Sequence, residues 1–447
     1  MRSFASSNSK FISIGLKYVK AFERSRNSLD SHGNDLVMNG KVLSSTLTLA
    51  ITCAAFGSDF ALHNRDRVVF YGDSITDNSP YTTFVETFVV TRFPNLNVRF
   101  FNAGVGGDRV SGGWMGPIDQ RLPRDLFSRK PTVVTVMLGM NDGSYRPFDQ
   151  GIFDTYRKGY QHIVDESKKQ IPNARFFLIK PSPYDDVTRE GTGYNSVLRQ
   201  YGEYLAELAQ KSGYGVIDMN TPVVDMLTAA KQNNAALASK IIGDRVHPGS
   251  AGHLVMAESI LKNWGAPSTV SSTTIDAKSG SVQAENAKVS NVKLESTIRW
   301  TALEGALPFP LDRKNDQVKL VLRSSDFDQA LNQETLKVTN LNPGKYKLSI
   351  DGMNVGTFDH ATLAIGINLA EYDTPMTGQA NTVFAVTSDR TQTRYFMWRQ
   401  IEFGLAAQSA SDVASVMKEY EKAEDSLIRL QHKLAKPVEH KFELSPG

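Results

Sequence analysis

Val68-Val69-Phe70-Tyr71-Gly72-Asp73-Ser74-Ile75-Thr76-Asp77 sets an apolar run directly before a turn that carries a serine. The run Val68–Tyr71 reads as a buried strand. A serine just past the end of such a strand sits at the sheet edge where open α/β folds bind ligands. Glycine, aspartate and serine are also ordinary turn residues, so the stretch alone fits a plain strand–helix turn equally well. The rest of the chain separates the two readings.

Working outward, short apolar runs alternate with helical patterns from residue 66 to about 264. The expected strands are Val68–Tyr71, Val98–Phe101, Val133–Leu138, Arg175–Lys180 and Val216–Met219. Val133–Leu138 is apolar on both faces, as a central parallel strand requires. Helical patterns fall near 79–92, 117–128, 149–170, 193–212 and 250–263. This alternation predicts a doubly wound, three-layer α/β domain over 66–264.

After Trp264-Gly265-Ala266-Pro267 the texture changes. Ser268–Thr273 reads as a Ser/Thr-rich linker, and β-patterned segments follow at Val318–Leu322, Leu336–Val338, Tyr346–Ile350 and Asn381–Val386. Asn342-Pro343-Gly344 and Asp351-Gly352 punctuate them as turns. The expectation is a smaller, mostly β, sandwich-like domain over 274–405. A C-terminal helix is expected over 408–437, where apolar residues recur at 413, 416, 420, 423, 427 and 430. The chain shows no internal repeats, and its pattern leaves the oligomeric state open.

Of the 447 residues, 40% are hydrophobic and 22% charged, the composition of a soluble globular protein. The formal charge of +3 is unevenly placed: residues 1–41 hold seven Lys/Arg against three Asp/Glu, leaving the body near −1. A near-neutral body offers no electrostatic footprint for nucleic acid. Met38-Asn39-Gly40-Lys41 followed by Val42–Phe56 resembles a charged n-region and an apolar h-region, with small residues near Ala55-Phe56-Gly57. The run is short for a membrane span and rich in Ser/Thr. Residues 1–57 are therefore expected to be a leader with a cleaved export signal, the true start falling at Met38 with residues 1–37 upstream of it, and the mature protein is expected in a secreted or periplasmic compartment. A tail with a weak apolar segment is the alternative. Cys53, the single cysteine, falls in this leader, so the mature chain has no thiol chemistry and no cysteine metal site.

Three further segments join the first serine. Asn102-Ala103-Gly104-Val105-Gly106-Gly107-Asp108 follows the second strand, and Leu138-Gly139-Met140-Asn141-Asp142-Gly143 follows the third. Asp244-Arg245-Val246-His247-Pro248 precedes the last helix of the α/β region. Ser74 is the candidate nucleophile and needs a general base within hydrogen-bond reach. His247 suits that role, because imidazole titrates near neutrality. Asp244, three residues earlier, is placed to fix the histidine tautomer. The Ser74 and Gly107 backbone N–H groups and the Asn141 amide are candidate donors to an oxyanion. Gly107 also brings no Cβ to such a site. Each segment singly has a plain reading as a turn or helix start; the ordered set does not.

These four segments resemble the signature blocks of the GDSL/SGNH hydrolase family. Gly-Asp-Ser stands at 72–74, the block glycine at 107, Gly-x-Asn-Asp at 139–142 and Asp-x-x-His at 244–247. The resemblance covers about 66–264, and isoleucine at 75 replaces the leucine of the family's first block. It implies a flavodoxin-like fold and esterase, lipase or acyl-transfer chemistry. Other plans fit less well: the chain has no Gly-x-Ser-x-Gly elbow, no His-Glu-x-x-His and no phosphate-binding loop. No cofactor or metal is called for by this chemistry.

Asp77, Arg109, Trp114, Tyr145, Arg146 and Tyr184 fall just past strand ends or in loops after the blocks, and are candidate substrate-binding residues. Trp114 and the tyrosines suit stacking on a sugar ring, and Arg109 suits a carboxylate; a loop anchor and a solvated charge are the alternatives. Trp300 and Trp398 suit either carbohydrate contact or core packing. No apolar insertion suggests a lid. The leading expectation is a carbohydrate O-acyl (acetyl) esterase acting on a small or polysaccharide ester. A broad short-chain esterase or lysophospholipase is the first alternative, and a catalytically idle glycan- or wall-binding protein the second.

Overall fold

Five parallel strands form the sheet that carries the sequence blocks: β1 (Arg67–Gly72), β2 (Arg99–Gly104), β5 (Val133–Met137), β6 (Arg175–Ile179) and β7 (Gly215–Ile217). Between β2 and β5 lies a two-residue hairpin, β3 (Gly112–Gly113) with β4 (Gly116–Pro117). The order β2-β1-β5-β6-β7 is that of a flavodoxin-like doubly wound sheet. β1 is buried along Val68–Gly72 and β5 throughout, as central strands covered on both faces must be. Register places Gly72 opposite both Gly104 and Met137, so three of the four blocks leave the sheet at one level. Helices Pro80–Arg92, Gln150–Gln170, Tyr194–Ser212, Asn220–Ala238 and Ser250–Asn263 complete the layers.

The computed structural model describes residues 60–405 and 410–447, all within one compact unit. The expected leader and export signal, with Cys53, lie outside the described residues. No helix among those described is long and apolar enough to cross a membrane.

Beyond residue 264 the chain builds two more sheets. One has four strands, in the order β15 (Ile367–Asn368), β12 (Gln333–Thr339), β8 (Thr269–Asp276), β9 (Val282–Glu285). The other has five, in the order β10 (Ala287–Leu294), β11 (Ile298–Glu304), β16 (His440–Pro446), β13 (Lys345–Ile350), β14 (Met353–Asp359). All pairs are antiparallel except β8 with β12. Side chains of both sheets, among them Ile275, Trp300, Leu336, Leu348 and Phe442, share one hydrophobic core. Trp300 is buried there, stacked on Phe442 at 5.1 Å.

Three local expectations change. The predicted linker at 268–273 is the start of β8, whose Ser271 and Thr273 are buried. Val318–Leu322 is not a strand but part of helix Asp316–Arg323, because the Asn315 side chain accepts from the Gln317 and Val318 amides and caps it. Asn381–Val386 lies inside helix Pro375–Phe396, which Thr374 and Thr377 start with a reciprocal capping box and Pro375 at the first turn. That helix runs on as a π-helical turn, Met397–Phe403, and helix Ala410–Ala435 packs beside it.

Candidate active site

The turn bearing Ser74 is built by its neighbours. Asp73 caps it, its Oδ1 accepting from the Ile75 amide at 3.0 Å. Asn102, near the end of β2, donates from Nδ2 to the Thr76 carbonyl at 2.6 Å. Gly104 lies so close that a Cβ there would overlap the Asp77 amide. From below, Tyr81 bonds Thr76 Oγ1 at 2.8 Å and its ring stacks on His253 at 5.8 Å. Burial, helped by the charge of His247, pushes His253 down to about 3, so it stays neutral and supports the turn by packing.

Ser74 Oγ lies 2.8 Å from His247 Nε2, and His247 Nδ1 lies 2.7 Å from Asp244 Oδ2. The consistent proton assignment has Ser74 donating to Nε2 and Nδ1–H donating to the carboxylate. Asp244 Oδ1 also accepts from the Val246 and His247 amides at 2.9 and 2.7 Å. Burial raises the Asp244 carboxyl, but these bonds from the His247 backbone and ring and the Val246 amide outweigh it and hold it below its ordinary range. The Asp244 side chain is 57% exposed, so this pair orients a ring rather than stabilising the fold.

Asn141 enters from the turn after β5. Its Nδ2 donates to the Asp108 carbonyl at 3.0 Å, and its Oδ1 accepts from the Tyr145 hydroxyl at 3.0 Å. The amide is thereby fixed in orientation, with one N–H of Nδ2 left without a partner among the described residues. Gly107 precedes Asp108 at φ +76°, and a Cβ there would meet nothing within 4 Å. Glycine is thus required for the left-handed backbone rather than for space. Among the described residues, no protein acceptor takes the Ser74 or Gly107 N–H.

Beneath this loop sit three buried carboxyls. Asp142 Oδ1 accepts from the Val110 amide at 3.0 Å, and Asp108 pairs with buried Arg121 at 3.1 Å. Burial, with repulsion from the other carboxyls against the pull of the Ile75 amide, pushes Asp73 up to about 7. Burial likewise lifts Asp142 to about 7 and, against the Arg121 charge, Asp108 to about 6.

The candidate substrate residues divide. Tyr145 and Tyr184 meet edge to face at 6.3 Å beside Asn141, with Tyr194 5.2 Å from Tyr145. Burial raises the Tyr145 hydroxyl to about 12, so it remains a donor. Arg109 is exposed without a side-chain partner among the described residues, and its charge pulls on Asp142 and Tyr145. Arg146 is a surface charge 3.8 Å from Asp149. Asp77 is committed internally: Oδ2 accepts from the Gly106 amide at 3.1 Å and Oδ1 from Arg399 at 2.7 Å. Trp114 is 66% exposed, against Phe403 and under the Arg399 guanidinium at 5.2 Å. Trp398 is buried, its indole N–H donating to Asp125 at 3.1 Å. Arg399 and Trp398 join this region from over 250 residues downstream, and no local pattern in the chain announces them.

A family model of the GDSL-like lipase/acylhydrolase family matches residues 70–255. The chain is 25% identical over 222 residues to the acetylxylan esterase of Geobacillus stearothermophilus, covering 45% of this chain and 94% of that protein. A solved structure of that esterase superposes at a TM-score of 0.39, with 24% identity over 46% of this chain and 96% of that one. A gut microbial diltiazem-metabolizing enzyme of known structure is 30% identical, with a TM-score of 0.77 over 86% of this chain and 98% of that one. The protein belongs to the GDSL-like lipase/acylhydrolase family and is a carboxylic ester hydrolase.

Proposed function

We propose that the protein removes short acyl groups, acetyl above all, from carbohydrate esters by a serine mechanism centred on Ser74. The observation that carries this is the continuous Ser74–His247–Asp244 hydrogen-bond chain at 2.8 and 2.7 Å. Ser74 Oγ attacks the ester carbonyl as His247 Nε2 takes its proton, and Asp244 stabilises the imidazolium through Nδ1–H. The tetrahedral oxyanion accepts from the Ser74 and Gly107 amides and the unused Nδ2–H of Asn141. Collapse expels the alcohol, which receives the proton from Nε2. Water then attacks the acyl-serine with His247 again as base, releasing the acid and free Ser74.

The choice of a carbohydrate acetate rests on the acetylxylan esterase relative and on the exposed Tyr145 and half-buried Tyr184 beside Asn141. A broader short-chain esterase is the second reading. The relative that spans 86% of this chain metabolises a drug, diltiazem, and this favours a site that admits varied alcohols. Release of the carboxylic acid from acetylated xylooligosaccharides, other acetylated polysaccharides, diltiazem and simple esters of rising acyl chain length separates the two. Highest kcat/KM on an acetylated saccharide supports the first reading. Equal or higher values on simple acetates select the second, and a rise towards long chains sinks both. Ser74→Ala should lower turnover of every ester to background; turnover equal to wild type removes Ser74 from the chemistry.

A further inference from the structure

We propose that Trp398 and Arg399, in the π-helical turn Met397–Phe403, are positioning residues for the loop that supplies the Gly107 amide. The inference rests on the oxyanion role proposed above.

The loop Gly106-Gly107-Asp108 is gripped at three points. The Gly106 amide donates to Asp77, the Asp108 carboxylate pairs with Arg121, and the Asp108 carbonyl accepts from Asn141. Two of these grips run back to the distant turn. Arg399 Nη2 donates to Asp77 Oδ1 at 2.7 Å, so one carboxylate holds the Gly106 amide with one oxygen and Arg399 with the other. Trp398 Nε1 donates to Asp125 Oδ1, and Asp125 Oδ2 in turn accepts from Arg121, the partner of Asp108. Trp398, Arg399, Arg121, Asp108 and Asp125 are all buried, and the Asp77 side chain is 18% exposed.

Burial makes these contacts stiff. A guanidinium taken out of water needs its anion, and removing either partner leaves an uncompensated charge. Arg399 is further enclosed by Met115 Sδ and by the Trp398 and Trp114 rings at 4.8 and 5.2 Å. Asp125 itself lies in a second π-helical turn, Leu122–Leu126, and Arg124 of that turn covers the Phe403 ring at 4.8 Å. Wide turns of this kind recur at functional sites because they redirect side chains that a regular helix would stack. Here one presents two neighbouring residues to two different supports of a single loop.

Misplacing an oxyanion donor lowers kcat while leaving ground-state binding intact. Arg399→Ala should therefore reduce kcat on an acetate ester about tenfold to a hundredfold with KM within about twofold. Millimolar guanidinium should restore part of the lost rate. Arg399→Lys and Trp398→Phe, which keep most of the packing, should lose less, by about threefold to tenfold. Asp77→Asn combined with Arg399→Ala should lose no more than the worse single variant, as members of one unit do. A phosphonate titration of active sites in each variant normalises the rates to folded enzyme.

Unchanged kcat per titrated site in Arg399→Ala overturns the inference, and so does a loss confined to the number of titratable sites. A rise in KM at constant kcat also overturns it, since it would make Arg399 a substrate contact. Ser74→Ala is measured beside them. If it keeps wild-type turnover, the proposed mechanism fails; if it is inactive while Arg399→Ala is normal, only the positioning role fails.

Discussion

Asn141 holds its amide between two partners, the Tyr145 hydroxyl on Oδ1 and the Asp108 carbonyl on Nδ2. That arrangement assigns different costs to two substitutions. Asn141→Ala removes a donor and should lower kcat by about 10²–10³. Tyr145→Phe removes only the bond that fixes the amide, and should cost about tenfold in kcat, roughly 1.4 kcal/mol. Steady-state kinetics on one acetate ester checks both, and a larger loss for Tyr145→Phe than for Asn141→Ala would contradict the assignment. Ser74, Asn141, Asp244 and His247 were legible in the sequence because each sits in a short block after a strand or before a helix. Tyr145 was legible only as a ring, since a hydroxyl's partner depends on the left-handed turn at Ser144 and Tyr145, both at positive φ.

Asp142 shows the site acting on stability. Its carboxyl is pushed up to about 7, first by burial, from the 3.8 of an unconstrained aspartate. The folded chain then binds this proton more tightly than the unfolded one. The contribution is fully present below the unfolded pKa and is lost as pH rises through the folded pKa. Between about pH 4 and pH 7 this group, and Asp73 with it, lowers stability as pH rises. Asp142→Asn keeps an acceptor for the Val110 amide and carries no charge, so its unfolding free energy should fall less between about pH 5 and pH 8 than that of the wild type. Urea titrations across that range test it; an equal or steeper fall in the variant rejects it.

At the scale of elements, the last strand is the instructive case. His440, Phe442 and Leu444 point inward and Lys441 and Glu443 outward, and β16 sits centrally between β11 and β13. The alternation is present in the sequence, but it is brief and follows a long helix, so the chain reads as ending with the helix expected over 408–437. The misread segments at 318–322 and 381–386 share another cause. Their apolar and β-branched residues suit a strand, while the residues that decide, Asn315 and the Thr374/Thr377 pair, lie just before them and cap a helix. Phe442, buried and stacked on Trp300, gives a measurable consequence. Phe442→Ala should cost about 3–5 kcal/mol by chemical denaturation. A cost under about 1 kcal/mol would show that β16 is not a core strand.

Over the whole molecule, the ester-hydrolase sheet and the later segments are joined by buried charge. Arg390 of helix Pro375–Phe396 pairs with Glu86 of helix Pro80–Arg92 and, at 2.8 Å, with Glu424 of the last helix. Arg92 reaches the Pro267 and Thr269 carbonyls at the start of the β-rich part and the Leu331 carbonyl further along it. The Arg390–Glu86 contact joins residues 304 positions apart, and nothing in local spacing reports it. The parallel sheet was legible because each of its strands carries its own pattern.

The central claim is that Ser74, activated by His247, forms the covalent bond to the acyl group. It is tested most directly by treating the protein with a short-chain phosphonate ester and mapping the adduct by peptide mass spectrometry. The account predicts one adduct per chain, on Ser74, formed at the rate at which activity is lost and absent in Ser74→Ala. An adduct on another residue, or full inactivation with Ser74 unmodified, would contradict it.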